Sequence, residues 1–77
     1  MPTTAYVLIQ TEVGKRGIAE KVRLIDGVTS ADEVTGPYDV IVRSETNSVD
    51  DLGRLVVSKI QLIDGITRTV TCPVMNL

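Results

Sequence analysis

The residues best suited to binding a small charged molecule lie together in one short segment, Val34-Thr35-Gly36-Pro37-Tyr38-Asp39. Glycine and proline favour a tight turn there, and the exposed backbone amides of such a turn can bind a carboxylate. Asp39 can pair with an ammonium group, and the ring of Tyr38 can form a wall of the same site. The segment is therefore either a ligand site formed by Gly36, Pro37, Tyr38 and Asp39 or an ordinary hairpin turn.

Catalytic and metal-binding chemistry has little support in the residue types. The chain has no histidine, the commonest general base at neutral pH and the commonest metal ligand. Asp26 and Asp64 occupy a repeated turn, where aspartate usually forms local hydrogen bonds. The lone cysteine, Cys72, lies on an apolar segment beside Pro73 and is typical of a small hydrophobic residue. We therefore expect no catalytic residue, no metal site and no cofactor.

Two similar halves are predicted to position the turn. The segment Leu24-Ile25-Asp26-Gly27-Val28-Thr29 returns as Leu62-Ile63-Asp64-Gly65-Ile66-Thr67. Each copy is typical of a helix end, a turn and the start of a strand. Apolar residues at helical spacing predict a helix before each copy, with Lys15 and Arg16 on the solvent side of the first helix and Ser48 at the start of the second.

β-branched residues predict four strands, over residues 5–11, 28–35, 38–44 and 66–74. Only Gly36-Pro37 separates the second strand from the third, which predicts an antiparallel hairpin. The order β-α-β-β-α-β is typical of the ferredoxin-like α+β fold, an antiparallel four-stranded sheet with two helices on one face. We expect a single domain over residues 1–77.

The sheet face opposite the helices is predicted to be apolar as well. In the first strand Tyr6 and Leu8 alternate with other apolar residues, and in the last strand Ile66, Val70, Cys72 and Val74 are expected to share one face. Such a patch exceeds what soluble monomers usually expose, which predicts a homodimer formed through the sheets. The alternative is that apolar groups on both faces reflect β propensity alone.

The overall charge and composition argue against nucleic acid and membranes as partners and predict the cellular compartment. Acidic residues outnumber basic residues by 10 to 8, so direct binding to nucleic acid is not expected. The chain has no apolar run long enough to cross a membrane. A single cysteine without a disulfide partner is typical of a reducing compartment, which predicts a cytoplasmic protein.

At the hairpin, the sequence resembles the effector-binding (RAM) domain of Lrp/AsnC transcriptional regulators, where a glycine, an aromatic residue and an aspartate occupy the places of Gly36, Tyr38 and Asp39. The Gly27-Val28 strand start, the Thr35-Gly36 turn and residues 65–69 extend the resemblance over almost the whole chain. Pro37 departs from the family, which commonly has a polar residue there, and removes one backbone donor.

The resemblance implies dimers formed through the sheets as a dimeric α+β barrel, often assembled into octamers or decamers. It also implies that a small ligand, typically an amino acid, binds between dimers at the hairpin. Because the chain starts at the first sensing strand, it resembles stand-alone members that lack the helix-turn-helix domain. Such a module could also assemble with a full-length Lrp/AsnC regulator through the same sheet face.

Three hypotheses follow for the function. The leading one is a ligand-sensing oligomeric module that acts in transcriptional regulation without binding DNA itself. The second is a small dimeric-barrel enzyme of the monooxygenase or isomerase type, with a pocket between helices and sheet. The third is a purely structural subunit that completes a mixed assembly and needs no ligand.

Overall fold

A computed structural model describes residues 2–75. The predicted order β-α-β-β-α-β is confirmed. The predicted single domain over 1–77 remains a prediction, because residues 1, 76 and 77 lie outside the described residues. The elements in chain order are β1 (Thr3–Thr11), α1 (Ile18–Arg23), β2 (Val28–Glu33), β3 (Val40–Thr46), α2 (Val49–Leu55), a π-helical turn (Val56–Ile60) and β4 (Ile66–Pro73).

The four strands form one antiparallel sheet in the order β2-β3-β1-β4. β1 and β3 are the central strands and pair from Thr3 opposite Thr46 to Ile9 opposite Val40. Both helices pack on one face of the sheet, since their buried side chains join those of the strands in one core cluster. The ferredoxin-like α+β fold is therefore confirmed.

The core follows the alternation of the two central strands. Inward-facing residues of β1 and β3 are at most 2% exposed, and they meet buried residues from both helices and the π-helical turn. Ser44 is the buried polar exception, and its Oγ donates a hydrogen bond to the Ala5 carbonyl at 3.2 Å. The core residues are Ala5, Val7, Ile9, Ile18, Ala19, Val22, Ala31, Val40, Val42, Leu52, Leu55, Val56 and Ile60.

The two helices differ in how they begin. α2 starts as predicted, because the Ser48 hydroxyl accepts a hydrogen bond from the Asp51 amide at 3.1 Å. α1 begins only at Ile18, after Gly17 with a left-handed φ of 76°. The expected position of Lys15 and Arg16 on this helix is therefore wrong, and both lie in the loop between β1 and α1. No helix within residues 2–75 is long and apolar enough to span a membrane.

The repeated hexapeptide forms the same turn in both halves. Gly27 and Gly65 share a φ of 98°, a conformation that favours glycine. The Gly65 carbonyl accepts the Glu12 amide at 2.8 Å, and the Gly27 carbonyl accepts the Glu45 amide at 2.9 Å. Each turn is thus bound to the end of a central strand from the other half.

The outer face of the sheet carries most of the predicted apolar residues. Leu8 lies opposite Ile41 on β3 and Val70 on β4, and Tyr6 lies opposite Cys72, so these side chains share the face away from the helices. The prediction that Ile66 shares this face with Val70 and Cys72 is wrong. A bulge in the pairing of β1 with β4 turns Ile66 towards the helices, where it packs against the core.

Candidate functional site

The hairpin between β2 and β3 has a longer loop than the sequence predicted. β2 ends at Glu33 and β3 begins at Val40, so residues 34–39 form the loop instead of Gly36-Pro37 alone. The Val34 amide still donates to the Asp39 carbonyl at 2.9 Å, which closes the base of the loop. The antiparallel pairing of the two strands is confirmed.

The hairpin loop is fastened to the end of β1. The Asp39 amide donates to the Ile9 carbonyl at 2.8 Å, and the Gln10 side-chain amide donates to the Pro37 carbonyl at 2.9 Å. These bonds join segments that are far apart in sequence but adjacent in the sheet. The loop therefore has a defined position relative to β1.

The Asp39 carboxylate bridges the hairpin and the last residue of β1. Its Oδ2 atom accepts hydrogen bonds from the Thr11 amide at 2.8 Å and from the Thr11 hydroxyl at 3.2 Å. Within residues 2–75, the other carboxylate oxygen, Oδ1, accepts no hydrogen bond. One carboxylate oxygen thus positions the side chain while the other can accept from a ligand.

The other three predicted site residues lie beside Asp39 in the loop. Gly36 has a φ of 144°, and an added Cβ there would have no atom within 4 Å. Pro37 is exposed and Tyr38 is half-buried. Within the described part of the chain, the amides of Gly36 and Tyr38 donate no hydrogen bond to protein, and Pro37 has no amide proton. These two amides therefore have no acceptor among the described residues.

A cleft of about 760 Å³ separates the hairpin loop from the β1–α1 loop and the start of α1. Of the four predicted site residues, only Asp39 lines this hairpin cleft. Its charged lining also includes residues that sequence reasoning left out of the site, namely Glu12, Lys15, Arg16, Glu20 and Glu33. The signal for this loop was its pair of flanking glycines, Gly14 and Gly17, which have φ values of 84° and 76°.

Lys15, which lines the cleft, forms an ion pair with a residue outside it. Its Nζ lies 2.9 Å from Asp64 Oδ2, in the second copy of the repeated turn. The hydrogen bond and charge of Asp64 raise the pKa of Lys15, and those of Lys15 lower the pKa of Asp64. The aspartate in this turn thus pairs with a distant lysine instead of forming only local hydrogen bonds.

The remaining reactive groups form no further centre. Cys72 is exposed on the outer face of the sheet. Across residues 2–75, no three His, Cys, Asp or Glu side chains are arranged to hold a metal ion. The hairpin cleft, which contains Asp39, is therefore the candidate site in the described part of the chain.

A family model for the Lrp/AsnC ligand binding domain matches residues 4–77. The chain is 32% identical over 73 residues to an uncharacterised helix-turn-helix-type transcriptional regulator of Pyrococcus horikoshii, an alignment that covers 90% of this chain and 49% of the regulator. The chain thus spans about half the length of the curated relatives it matches.

Solved structures share the fold. A hypothetical protein from Pyrococcus horikoshii is 35% identical with a TM-score of 0.87, and the match covers 100% of this chain and 93% of that protein. A transcriptional regulator from Neisseria meningitidis in complex with L-methionine is 17% identical with a TM-score of 0.85, and the match covers 96% of this chain and 50% of the regulator. The second likeness shows the fold alone.

Proposed function

Because the chain belongs to the Lrp/AsnC ligand-binding domain family, we propose that it is an oligomeric module that binds a free amino acid and acts in transcriptional regulation without binding DNA itself. The observation that carries the proposal is the Asp39 carboxylate, held by Thr11 at the edge of the hairpin cleft. A fixed carboxylate beside backbone donors suits a ligand that carries both an ammonium and a carboxylate group.

In the proposed complex, the ligand ammonium binds Oδ1 of Asp39. The ligand carboxylate accepts from the amides of Gly36 and Tyr38, which have no acceptor within the described residues. Tyr38 lies outside the cleft lining, so its ring would flank the ligand at the rim of the cleft. Pro37 supplies no donor, so this chain has one backbone contact fewer than a loop with another residue at that position.

The related proteins support a sensing role. The Neisseria meningitidis regulator of the same fold was solved with L-methionine, and the Pyrococcus horikoshii relative is a helix-turn-helix-type regulator. The family model describes a ligand-binding domain, which favours binding over catalysis. The absence of histidine from the sequence favours the same conclusion.

The proposal includes assembly through the outer face of the sheet. A second copy placed on Leu8, Ile41 and Val70 would bury their apolar surface and form a dimeric α+β barrel. Such a two-fold contact uses the same patch on both subunits, so dimers can join further into octamers or decamers through other surfaces. A full-length Lrp/AsnC regulator that offers the same kind of face is the proposed alternative partner.

The net charge and the single cysteine support two further parts of the proposal, the absence of direct DNA contact and the cytoplasmic location. A net charge of −2 gives no electropositive surplus for phosphate contacts, so regulation would act through the ligand and the assembly and not through direct DNA contact. The single Cys72 is exposed and would remain reduced in the cytoplasm, which is the proposed location.

Isothermal titration of the purified protein with each free amino acid tests the proposal. We expect at least one to bind, and Asp39→Asn to weaken that binding by about tenfold or more because a charge-assisted bond is lost. Asp26→Asn is the matched control, since Asp26 is an exposed aspartate outside the hairpin cleft. Absence of heat with every amino acid would reject the sensing role and favour the purely structural subunit.

A further inference from the structure

The charged lining of the hairpin cleft is unbalanced. Four carboxylates line it, from three different parts of the chain: Glu12 directly after β1, Glu20 on α1, and Glu33 and Asp39, the last residue of β2 and the last residue of the hairpin loop. Lys15 and Arg16 are the cations of the same lining. Carboxylates therefore outnumber cations before any pairing is considered.

Pairing increases this imbalance. Lys15 is bound at 2.9 Å to Asp64, which lies outside the cleft lining, so its charge is largely matched there. Within residues 2–75, none of the four cleft carboxylates has a cation within ion-pair distance. Arg16 is then the one lining cation that forms no ion pair in the described part of the chain.

The cleft also has an apolar part. Val13, Ile18, Val34 and Val40 contribute to its lining, and Ile18 and Val40 belong to the core. Its volume of about 760 Å³ exceeds that of a single amino acid, so a long side chain fits. An alkyl chain with a terminal cation would lay its methylene groups on the apolar residues and its charge among the carboxylates.

We infer that the hairpin cleft selects amino acids with a cationic side chain, such as lysine, over neutral and acidic ones. The inference rests on the proposed function and specifies the ligand class of the same site. The α-ammonium occupies Oδ1 of Asp39, and the side-chain cation lies among Glu12, Glu20 and Glu33. An acidic ligand side chain would meet like charges at the same place.

Lysine and norleucine provide the direct test, because norleucine is lysine without its terminal amino group. We expect titration calorimetry to show lysine binding about fivefold more tightly than norleucine, with glutamate weaker than both. The preference should shrink at high salt, since the Debye length falls from about 10 Å at 0.1 M to about 3 Å at 1 M. Equal or tighter binding of norleucine would overturn the inference and leave the proposed function intact.

Variants separate the cleft charges from the overall charge of the protein. We expect Glu33→Gln to weaken lysine binding about twofold to fivefold and to leave norleucine binding unchanged. Asp50→Asn is the charge-matched control, because Asp50 is exposed on α2 and does not line the cleft. An equal loss in both variants would overturn the role of the cleft, whereas failure of every amino acid to bind would reject the proposed function itself.

Discussion

The side chain of Lys15 passes so closely over Gly65 that a Cβ atom on Gly65 would stand 2.9 Å from the Lys15 Cγ atom. The same lysine reaches Asp64 with its ammonium group at 2.9 Å. At Gly27, in the other copy of the turn, the nearest atoms to an added Cβ are 3.6 Å away. The two glycines thus have the same backbone conformation but different surroundings.

Gly65→Ala is therefore expected to destabilise the protein more than Gly27→Ala. Both changes place alanine at a φ of 98°, so the backbone cost, about 1–2 kcal/mol, is common to both. Only in Gly65→Ala does the new methyl group also crowd Lys15 and Ile18. We expect this crowding to lower the unfolding free energy by about a further 1 kcal/mol. Urea unfolding of the two variants measures the difference, and equal losses would contradict the steric argument.

The repeated hexapeptide explains why so much of the fold was predictable. A glycine that follows a helical pattern and precedes β-branched residues specifies a turn from local chemistry alone, and both copies adopt it. The helix start at Ser48 was predictable for the same reason, since the cap is formed by residues adjacent in sequence.

Features that depend on contacts across the sheet were not predictable in this way. The length of the hairpin loop depends on bonds from residues 37 and 39 to β1, and the orientation of Ile66 depends on a bulge against β1. The acidic residues of the hairpin cleft are far apart in sequence and meet only in the folded chain. Asp39 was predicted as a site residue because the turn residues around it suit either a ligand site or a plain hairpin, and its role in binding stays a prediction.

The ion pair between Lys15 and Asp64 predicts a pH-dependent contribution to stability. The hydrogen bond from Lys15 lowers the pKa of Asp64, so its stabilisation is present above the usual aspartate pKa of about 3.9 and is lost as the pH falls through the lowered value. The pKa of Lys15 is raised, so the stabilisation that its charged form contributes is lost as the pH rises through that raised value.

Asp64→Asn should consequently lower the stability slightly near neutral pH and have no effect in strong acid. The contribution is small because both groups are exposed. The unfolding free energies of the variant and the unmodified protein are measured in urea at two pH values, one neutral and one well below the usual aspartate pKa. Asp26→Asn, in the copy of the turn without an ion pair among the described residues, is the control. A difference that persisted in strong acid would contradict the assignment.

Asp39 is predicted to have a structural contribution that can be separated from ligand binding. Asp39→Ala removes the acceptor for the Thr11 amide and should cost about 1 kcal/mol of unfolding free energy, because water replaces part of the bond at this exposed site. Asp39→Asn keeps an oxygen acceptor and should cost less. Thr11→Val removes only the longer hydroxyl bond and should cost the least. Equal unfolding midpoints for the two Asp39 variants would argue against this anchoring role.

The outer face of the sheet makes the sharpest prediction about assembly. Leu8 is central to this face, between Ile41 and Val70, so Leu8→Lys would place a charge in the middle of the proposed dimer contact. Removing a lysine from water without a partner costs several kcal/mol, and each 1.4 kcal/mol weakens association about tenfold. Light scattering should then show a monomer. Val57→Lys, on the helical side and already 60% exposed, should leave the mass unchanged. If the unmodified protein were itself a monomer, the outer face would have no partner of its own kind, and its apolar surface would be explained either by the binding of a full-length regulator or by β propensity alone.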